Sequence, residues 1–172
     1  SHDGDSLVET YMDDVILKTK AVLCVGAGNE GDTGRHMEVR LDDGQILQSA
    51  FFITENERAM NLQIWKNYGD DILISLVSPT REILGPFNYV EGKQVYLVGN
   101  TRVLVYYGEP KPYMKRQEIY IVFISNEEFV LSGEWNILLE ARSIIDGQVE
   151  MWMPVIGAVS GGTFFFQPTL TD

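Results

Sequence analysis

The pattern of apolar and polar positions divides the chain into a helical beginning and a long β-rich remainder. Near the start, apolar residues recur at spacings of three and four, which predicts one amphipathic helix. Ser6 with Glu9 three residues later fits a capping box at the start of that helix. The residues of the apolar face are Leu7, Val8, Tyr11, Met12, Val15 and Ile16.

A short apolar run follows the predicted helix. Residues 21–25 read Ala-Val-Leu-Cys-Val, without polar alternation, which is typical of a strand covered on both faces in an α/β fold. The run passes into a turn that contains Gly26, Gly28, Gly31 and one amide side chain, Asn29. Because glycines let a backbone turn sharply and approach a ligand closely, Asn29 could present its NH₂ group into a cleft.

The rest of the chain carries many short apolar segments separated by turns rich in Gly and Asp. Gly85-Pro86 is interpreted as one of these turns. This pattern predicts a mainly β fold, an antiparallel sandwich or jelly roll over residues 37–160. Alternation along the segments predicts that Ile121, Phe123, Trp135, Ile137 and Leu139 are buried against the sheets. The predicted strands are 38–41, 47–54, 62–66, 72–77, 95–98, 102–107, 118–124, 135–141 and 148–153.

Two segments near the start resemble a known family. The Gly-Asn-Glu-Gly sequence of residues 28–31, after a helix and a small-residue strand, resembles the oxyanion-hole segment of subtilisin-like serine proteases. Residues 1–7 resemble the His-Asp-Gly-x-Ser segment that precedes this helix in the Csp germination proteases of spore-forming bacteria. That branch carries a jelly-roll domain inserted after the oxyanion Asn and before the catalytic Ser.

The resemblance implies three parts in this chain. Residues 1–36 would be a fragment of the α/β protease core, residues 37–160 the inserted jelly roll, and residues 161–172 a return to the core. Residues 72–80 and 132–137 also loosely resemble the P-domain of kexin-type convertases, which has the same kind of fold.

A function follows from the same resemblance. The parent protein would hydrolyse peptide bonds, with Asn29 stabilising the oxyanion, and its partners would be the rest of the protease domain and a peptide or protein substrate. Family members process a cortex-lytic proenzyme during spore germination, and some are germinant-sensing pseudoproteases. The resemblance places the parent in the spore or cytoplasm of a spore-forming bacterium.

The catalytic triad is missing from this sequence. It contains no Asp-Ser/Thr-Gly, His-Gly-Thr or Gly-Thr-Ser motif, and its two histidines, His2 and His36, lie in no catalytic context. A serine nucleophile needs a base within hydrogen-bond reach and an acid that orients the base. We therefore expect this chain to be inactive alone and to need no cofactor.

Composition narrows the class of protein further. A net charge of −12 argues against nucleic acid as a partner, because phosphate contacts need clustered Lys and Arg. The sequence has no signal peptide and no apolar run long enough to span a membrane. The single cysteine, Cys24, excludes an internal disulfide and is interpreted as a buried hydrophobe. We expect no metal site, and we interpret the acidic pairs at 13–14, 42–43 and 70–71 as helix-face and turn residues.

A different class of function remains open, a carbohydrate- or protein-binding sandwich. Alternation places Trp65 and Trp152 on outward faces, where they could stack on a sugar or pack on the protease domain. Phe164, Phe165 and Phe166 also fit packing on the protease domain.

Truncation gives one more expectation. Residues 7–27 are predicted to belong to a larger parallel sheet. The exposed strand edge of this piece should therefore either fold back on the sandwich or pair between copies, which would give a dimer of the fragment.

Overall fold

The computed structural model describes residues 7–19, 22, 33–109, 112, 114–154 and 158–169. Among these residues it contains one helix and eleven strands, so the chain is mostly β, as predicted. The elements are α1 (Leu7–Thr19), β1 (His36–Arg40), β2 (Ile46–Ile53), β3 (Ala59–Asn67), β4 (Asp71–Val77), β5 (Ile83–Phe87), β6 (Lys93–Val98), β7 (Thr101–Tyr107), β8 (Arg116–Ser125), β9 (Gly133–Ser143), β10 (Gln148–Trp152) and β11 (Phe164–Phe165).

Each of the nine strands predicted within residues 37–160 is present, but two strands of the described residues, β5 and β11, were not predicted. Gly85-Pro86, which the sequence analysis interprets as a turn, lies inside β5 and is joined by a cis peptide bond. This prediction was wrong because β5 is the edge strand of its sheet, where a proline need not donate to a further strand. The other missed strand, β11, has only two residues.

The strands form two antiparallel sheets. One sheet has the order β1-β10-β3-β8-β7-β6, and the other has the order β11-β2-β9-β4-β5. Strands that are distant in sequence are therefore neighbours: β1 pairs with β10, β2 with β9 and β3 with β8. The β6–β7 hairpin extends the first sheet beyond β8.

The core lies between the two sheets, where alternate side chains from both meet. All five residues predicted to be buried are fully inaccessible: Ile121, Phe123, Trp135, Ile137 and Leu139. The rings of Phe123 and Trp135 meet edge to face, with centroids 5.1 Å apart. The indole Nε1 of Trp135 donates to the Leu131 carbonyl at 3.0 Å, so its polar atom is satisfied inside the core.

The chain enters and leaves the sandwich at the same end. The N–H of Phe165 donates to the Gly34 carbonyl at 2.8 Å, and the N–H of Thr169 donates to the His36 carbonyl at 2.9 Å. The hydroxyl of Thr169 accepts from the Glu38 N–H at 2.9 Å. The incoming segment (residues 33–35) and the outgoing segment (residues 164–169) therefore run side by side, and β11 adds residues beyond position 160 to the sheets.

The predicted helix is present as α1, and part of its apolar face is open to solvent. On that face Tyr11 and Met12 are exposed, whereas Val15 and Ile16 are half-buried, and Leu17 beside the face is exposed too. Asp14 and Lys18 form an exposed ion pair one turn apart. Ser6 and the predicted strand at 21–25, apart from the exposed Val22, lie outside the described residues.

The core makes a direct stability prediction. Ile121→Ala should lower the free energy of unfolding by about 2–5 kcal/mol, because it removes methylenes from a fully buried site. Ile46→Ala is the same substitution in a strand, but at a residue that is 64% exposed. It should change the free energy of unfolding by no more than about 1 kcal/mol. Urea unfolding followed by tryptophan fluorescence measures both, and equal losses would contradict the proposed core.

Candidate functional site

The residues predicted to carry chemistry lie outside the part of the chain that the structure describes. These are Asn29 and the turn glycines Gly26, Gly28 and Gly31. Cys24, which is interpreted as a buried hydrophobe, also lies outside the described residues. Described structure resumes at Thr33, in the incoming segment. The candidate site that can be examined is therefore the junction, the end of the sandwich where the incoming and outgoing segments meet.

Arg35 is a buried cation at this junction. Its side chain is inside the fold, with the residue only 5% exposed. Guanidinium Nη1 donates to the Pro154 carbonyl at 2.6 Å, and Nη2 donates to the Ser160 carbonyl at 2.9 Å. The backbone carbonyl of Arg35 accepts from the Met153 N–H at 2.9 Å. One residue thus ties the incoming segment to both sides of the loop after β10.

Glu57 holds the same loop from the other side. It is 6% exposed and lies between β2 and β3. Its Oε1 atom accepts from the Ser160 N–H at 2.6 Å and from the Thr163 hydroxyl at 3.0 Å. The N–H of Ser160 is therefore held by a carboxylate and its carbonyl by a guanidinium. We call Arg35, Glu57 and Ser160 the junction clamp.

A stacked aromatic pair lies beside the clamp. The rings of His36 and Trp152 are 3.8 Å apart and inclined by 23°, which places the imidazole flat on the indole. The two residues are also paired across β1 and β10. This contact gives His36 a packing role at the start of the sandwich.

The outward tryptophans are less accessible than the sequence analysis expected. Trp65 is not part of the core between the sheets, which agrees with its predicted face, but it is only 6% exposed. Trp152 is half-buried under the contact with His36. Alternation reports which face of a sheet a side chain occupies and says nothing about what covers that face.

The acidic pairs in the turns organise loops at the opposite end of the sandwich. The carboxylate of Asp70 accepts three backbone N–H groups: Oδ1 from Ile145 at 2.7 Å and from Asp146 at 3.0 Å, and Oδ2 from Gly147 at 2.9 Å. The carboxylate of Asp43 accepts from the Ile144 N–H at 2.6 Å. Both carboxylates therefore hold the loop between β9 and β10.

Gly147 cannot be replaced without moving that loop. Its φ is +80°, and a Cβ atom added there would lie 2.2 Å from the Leu41 carbonyl oxygen. The same two residues are hydrogen-bonded, since the Leu41 N–H donates to the Gly147 carbonyl at 3.0 Å. Close backbone approach therefore requires glycine at this position.

This environment shifts the pKa values of Asp70 and Lys66. Burial alone would raise the pKa of Asp70, but the three N–H donors, together with the nearby charge of Lys66, outweigh it and lower that pKa. Burial lowers the pKa of Lys66, against the opposing effect of Asp70 and Asp71. The Lys66 ammonium donates to the carbonyls of Asn67 at 3.1 Å and Asp70 at 2.8 Å.

A second buried charge cluster lies on the first sheet. Arg116 Nη1 is 2.6 Å from Glu150 Oε1, and Arg116 Nη2 donates to the Trp65 carbonyl at 3.2 Å. The amide of Gln148 donates to the same Glu150 oxygen at 3.1 Å. These contacts join β3, β8 and β10 and lie apart from the junction clamp.

The described residues contain neither a metal-binding cluster nor a membrane-spanning helix. Across them, no group of three or more His, Cys, Asp or Glu side chains is arranged to hold a metal ion. Within the same ranges, no helix is long and apolar enough to cross a bilayer.

The fold described above is that of a protease-related β-sandwich, and comparison with solved structures identifies the relationship. The structure of the Clostridium perfringens CspB protease matches 99% of this chain with a TM-score of 0.85 and 28% sequence identity. The fold is therefore related to that of a Csp-type protease. The chain spans 35% of the length of the CspB chain. It matches no family profile and no curated protein sequence.

The junction clamp leaves no recognisable signal in the sequence. Arg35 and Glu57 each stand alone among ordinary polar residues, and the partners of their side chains lie more than a hundred positions away. Asp70 was assigned to a turn, but its three donors also come from a distant loop. Such contacts depend on tertiary structure and leave no local pattern.

Asp70 supplies a prediction about pH. Asp70→Asn should lower the free energy of unfolding at pH 7 by about 2 kcal/mol, since an amide NH₂ would face at least one of the three N–H donors. Because folding lowers the pKa of Asp70, its contribution is present above the unfolded value near 3.9. It is lost as pH falls through the lower folded value.

Urea unfolding at pH 7 and at steps down to pH 2 measures this difference. The gap between the wild type and Asp70→Asn should close in acid. Asp71→Asn, which changes the exposed neighbouring carboxylate, should have a free energy of unfolding within about 0.5 kcal/mol of the wild-type value at every pH. A pH-independent gap for Asp70→Asn would contradict the assigned role of the carboxylate.

Proposed function

We propose that this chain is part of a subtilisin-like serine endopeptidase of the Csp type and that its sandwich is a jelly-roll domain inserted into the protease core. The observation that carries the proposal is the likeness to the CspB protease over nearly the whole chain, at 28% identity. The parent protein would process a proenzyme by peptide-bond hydrolysis during spore germination.

Strand order supports the jelly-roll assignment. A jelly roll is a long antiparallel hairpin wrapped into two sheets, so its first strand pairs with its last and successive pairs are nested inside. Here β1 pairs with β10, β2 with β9, β3 with β8 and β4 with β5. The β6–β7 hairpin would be an addition at the edge of this plan.

The junction supports the insertion. An inserted domain must return the chain to the point where it left the host, and domains with adjacent ends tolerate insertion best. The bonds from Phe165 to Gly34 and from Thr169 to His36 hold the two segments together.

Exposed apolar side chains support a partnership with the rest of the protease. The rings of Phe52, Phe164 and Phe166 form a phenylalanine cluster beside the outgoing segment, with centroids 5.3–6.4 Å apart. Phe166 is 48% exposed, and α1 exposes Tyr11 and Leu17. The remainder of the protease core would cover these surfaces. The sugar-binding alternative is less favoured, because it depends on Trp65, which is buried, and on Trp152, which is half-buried under its contact with His36.

Within the proposed protease, Asn29 would donate to the oxyanion of the tetrahedral intermediate. The nucleophile and its base would come from the remainder of the protein, since this chain lacks their motifs. The 172-residue chain should therefore hydrolyse no peptide or ester substrate and should not react with a serine-directed fluorophosphonate. Labelling of the full-length protein, but not of this chain, is the expected result, and labelling of the chain alone would contradict it.

A substitution in the full-length protein tests the role of Asn29. Asn29→Ala should lower kcat by about 10²–10³ with little change in KM, the size of the loss known for the equivalent donor in subtilisin. The reason is that the amide stabilises charge that develops only in the transition state. Steady-state kinetics on a chromogenic peptide measure the effect, and an unchanged kcat would remove Asn29 from this role.

Truncation should affect association. The 172-residue chain exposes apolar side chains on α1 that the full protease would cover, so we expect it to dimerise. A version that begins at Thr33 keeps the clamp and both sheets and should be monomeric. Light scattering of both at equal concentration measures this, and two monomers would show that the first 32 residues do not drive association.

A further inference from the structure

Three of the four edge strands in the described sheets are protected from pairing with another chain. The outgoing segment borders β1, since Thr169 bonds to the His36 carbonyl and to the Glu38 N–H. β11 has only two residues and is bonded to Gly34 of the incoming segment. β5 contains Pro86, which has no N–H to donate. Such features matter because an open edge presents a row of unpaired N–H and C=O groups.

The fourth edge strand, β6, has none of these protections. It is six residues long, contains no proline and pairs with β7 without a bulge. Across the described residues, the backbone of β6 is hydrogen-bonded to β7 alone. Its outer side can therefore accept a further strand.

The side chains beside this edge are apolar. Val95 and Leu97 point away from the core and are 52% and 61% exposed. Leu104, which lies opposite Val95 on β7, extends the apolar surface to Val122 on β8. Residues 89–97 together expose four large apolar side chains. Exposed apolar residues that are gathered in one place, unlike isolated ones, mark an interaction surface.

The charges at this edge are positive. Lys93 and Arg102 are the only charged residues in β6 and β7, and both are exposed. Arg102 lies opposite Leu97, and neither cation belongs to an ion pair within the described residues. At physiological ionic strength, charges more than about 8 Å away are largely screened, so the net charge of −12 does not cancel this local pair. Carboxylates on a partner strand would complement it.

We propose that the β6 edge binds an extended segment of a separate protein, which adds a seventh strand to the first sheet. The segment carries apolar residues at alternate positions and acidic residues that face Lys93 and Arg102. Main-chain hydrogen bonds would hold such a segment, and the alternate side chains would select it. This inference does not depend on the proposed proteolytic activity.

Two other occupants fit the edge less well. Two copies of this chain joined antiparallel along β6 would bring Lys93 of each copy toward the row of Leu97 and Arg102 in the other, so like charges would meet. The rest of the proposed protease would meet the sandwich at the junction, beside β1. The sheet order places β6 five strand spacings from β1, or about 24 Å away.

The first measurement follows a fluorescent ten-residue probe peptide, in which valine alternates with threonine between glutamates at both ends. Its fluorescence anisotropy should rise on binding to the 172-residue chain and to the full-length protein. Leu97→Ser should weaken binding about fivefold, because it removes an apolar cross-strand contact. Ile83→Ser is the matched control, since Ile83 is 68% exposed on the protected edge strand β5, and it should retain the wild-type affinity. Equal losses in the two variants, or no binding to the wild type, would overturn the proposal.

The second measurement tests the backbone ladder and the charges. A probe with N-methyl groups on alternate peptide nitrogens should not bind, because it cannot complete the ladder. Lys93→Glu should weaken binding of the acidic probe about tenfold and should favour a probe whose glutamates are replaced by lysines. Binding of the methylated probe, or indifference to the charge reversal, would contradict strand addition to this edge.

The competing occupants have outcomes of their own. Binding of the probe to the 172-residue chain but not to the full-length protein would show that the rest of the protease covers β6, and the proposal would then be wrong. Light scattering of a version that begins at Thr33 tests the second copy. A dimer that Leu97→Ser dissociates and Ile83→Ser does not would also overturn the proposal, because β6 would then pair with itself.

Discussion

Burial of alternate side chains between two sheets is the interaction on which the rest of this structure depends. The residues that meet there, such as Phe51 in β2 and Phe123 in β8, come from strands that are distant along the chain. Bringing them together forces the nested pairing of β1 with β10 and of β2 with β9. That pairing in turn places the incoming and outgoing segments side by side. The position of the junction therefore follows from the burial of the core.

Polar contacts have a different task in this fold. At one end, Asp70 collects three N–H donors of the β9–β10 loop, and at the other the junction clamp holds both sides of Ser160. These loops have no ladder of their own, so their buried backbone groups need side-chain partners. Charged residues at the two ends of the sandwich thus form hydrogen bonds with loop backbone groups that the sheets leave unpaired.

The sequence predicts the elements of this fold well, because period-two alternation and turn residues are local properties. It predicts the burial of Ile137 and Leu139 and the outward face of Trp65 for the same reason. It does not predict β5, since Gly85-Pro86 has the composition of a turn, nor the covering of Trp65. Asn29 stays a prediction from a motif, whereas the sequence gives no sign of the contacts of Arg35 and Glu57, because their partners lie more than a hundred positions away.

The adjacency of the incoming and outgoing segments affects how a host protein that carries this sandwich would fold. An unstructured insertion of this length would cost the host about 4 kcal/mol in loop-closure entropy, from the (3/2)RT ln n relation. Once the sandwich has formed, the bonds from Phe165 to Gly34 and from Thr169 to His36 close that loop in advance. For the host, the loop-closure entropy is then that of a connection no longer than a tight turn. Because nested, long-range strand pairing is slow, the folding of the sandwich would set the pace for the whole protein.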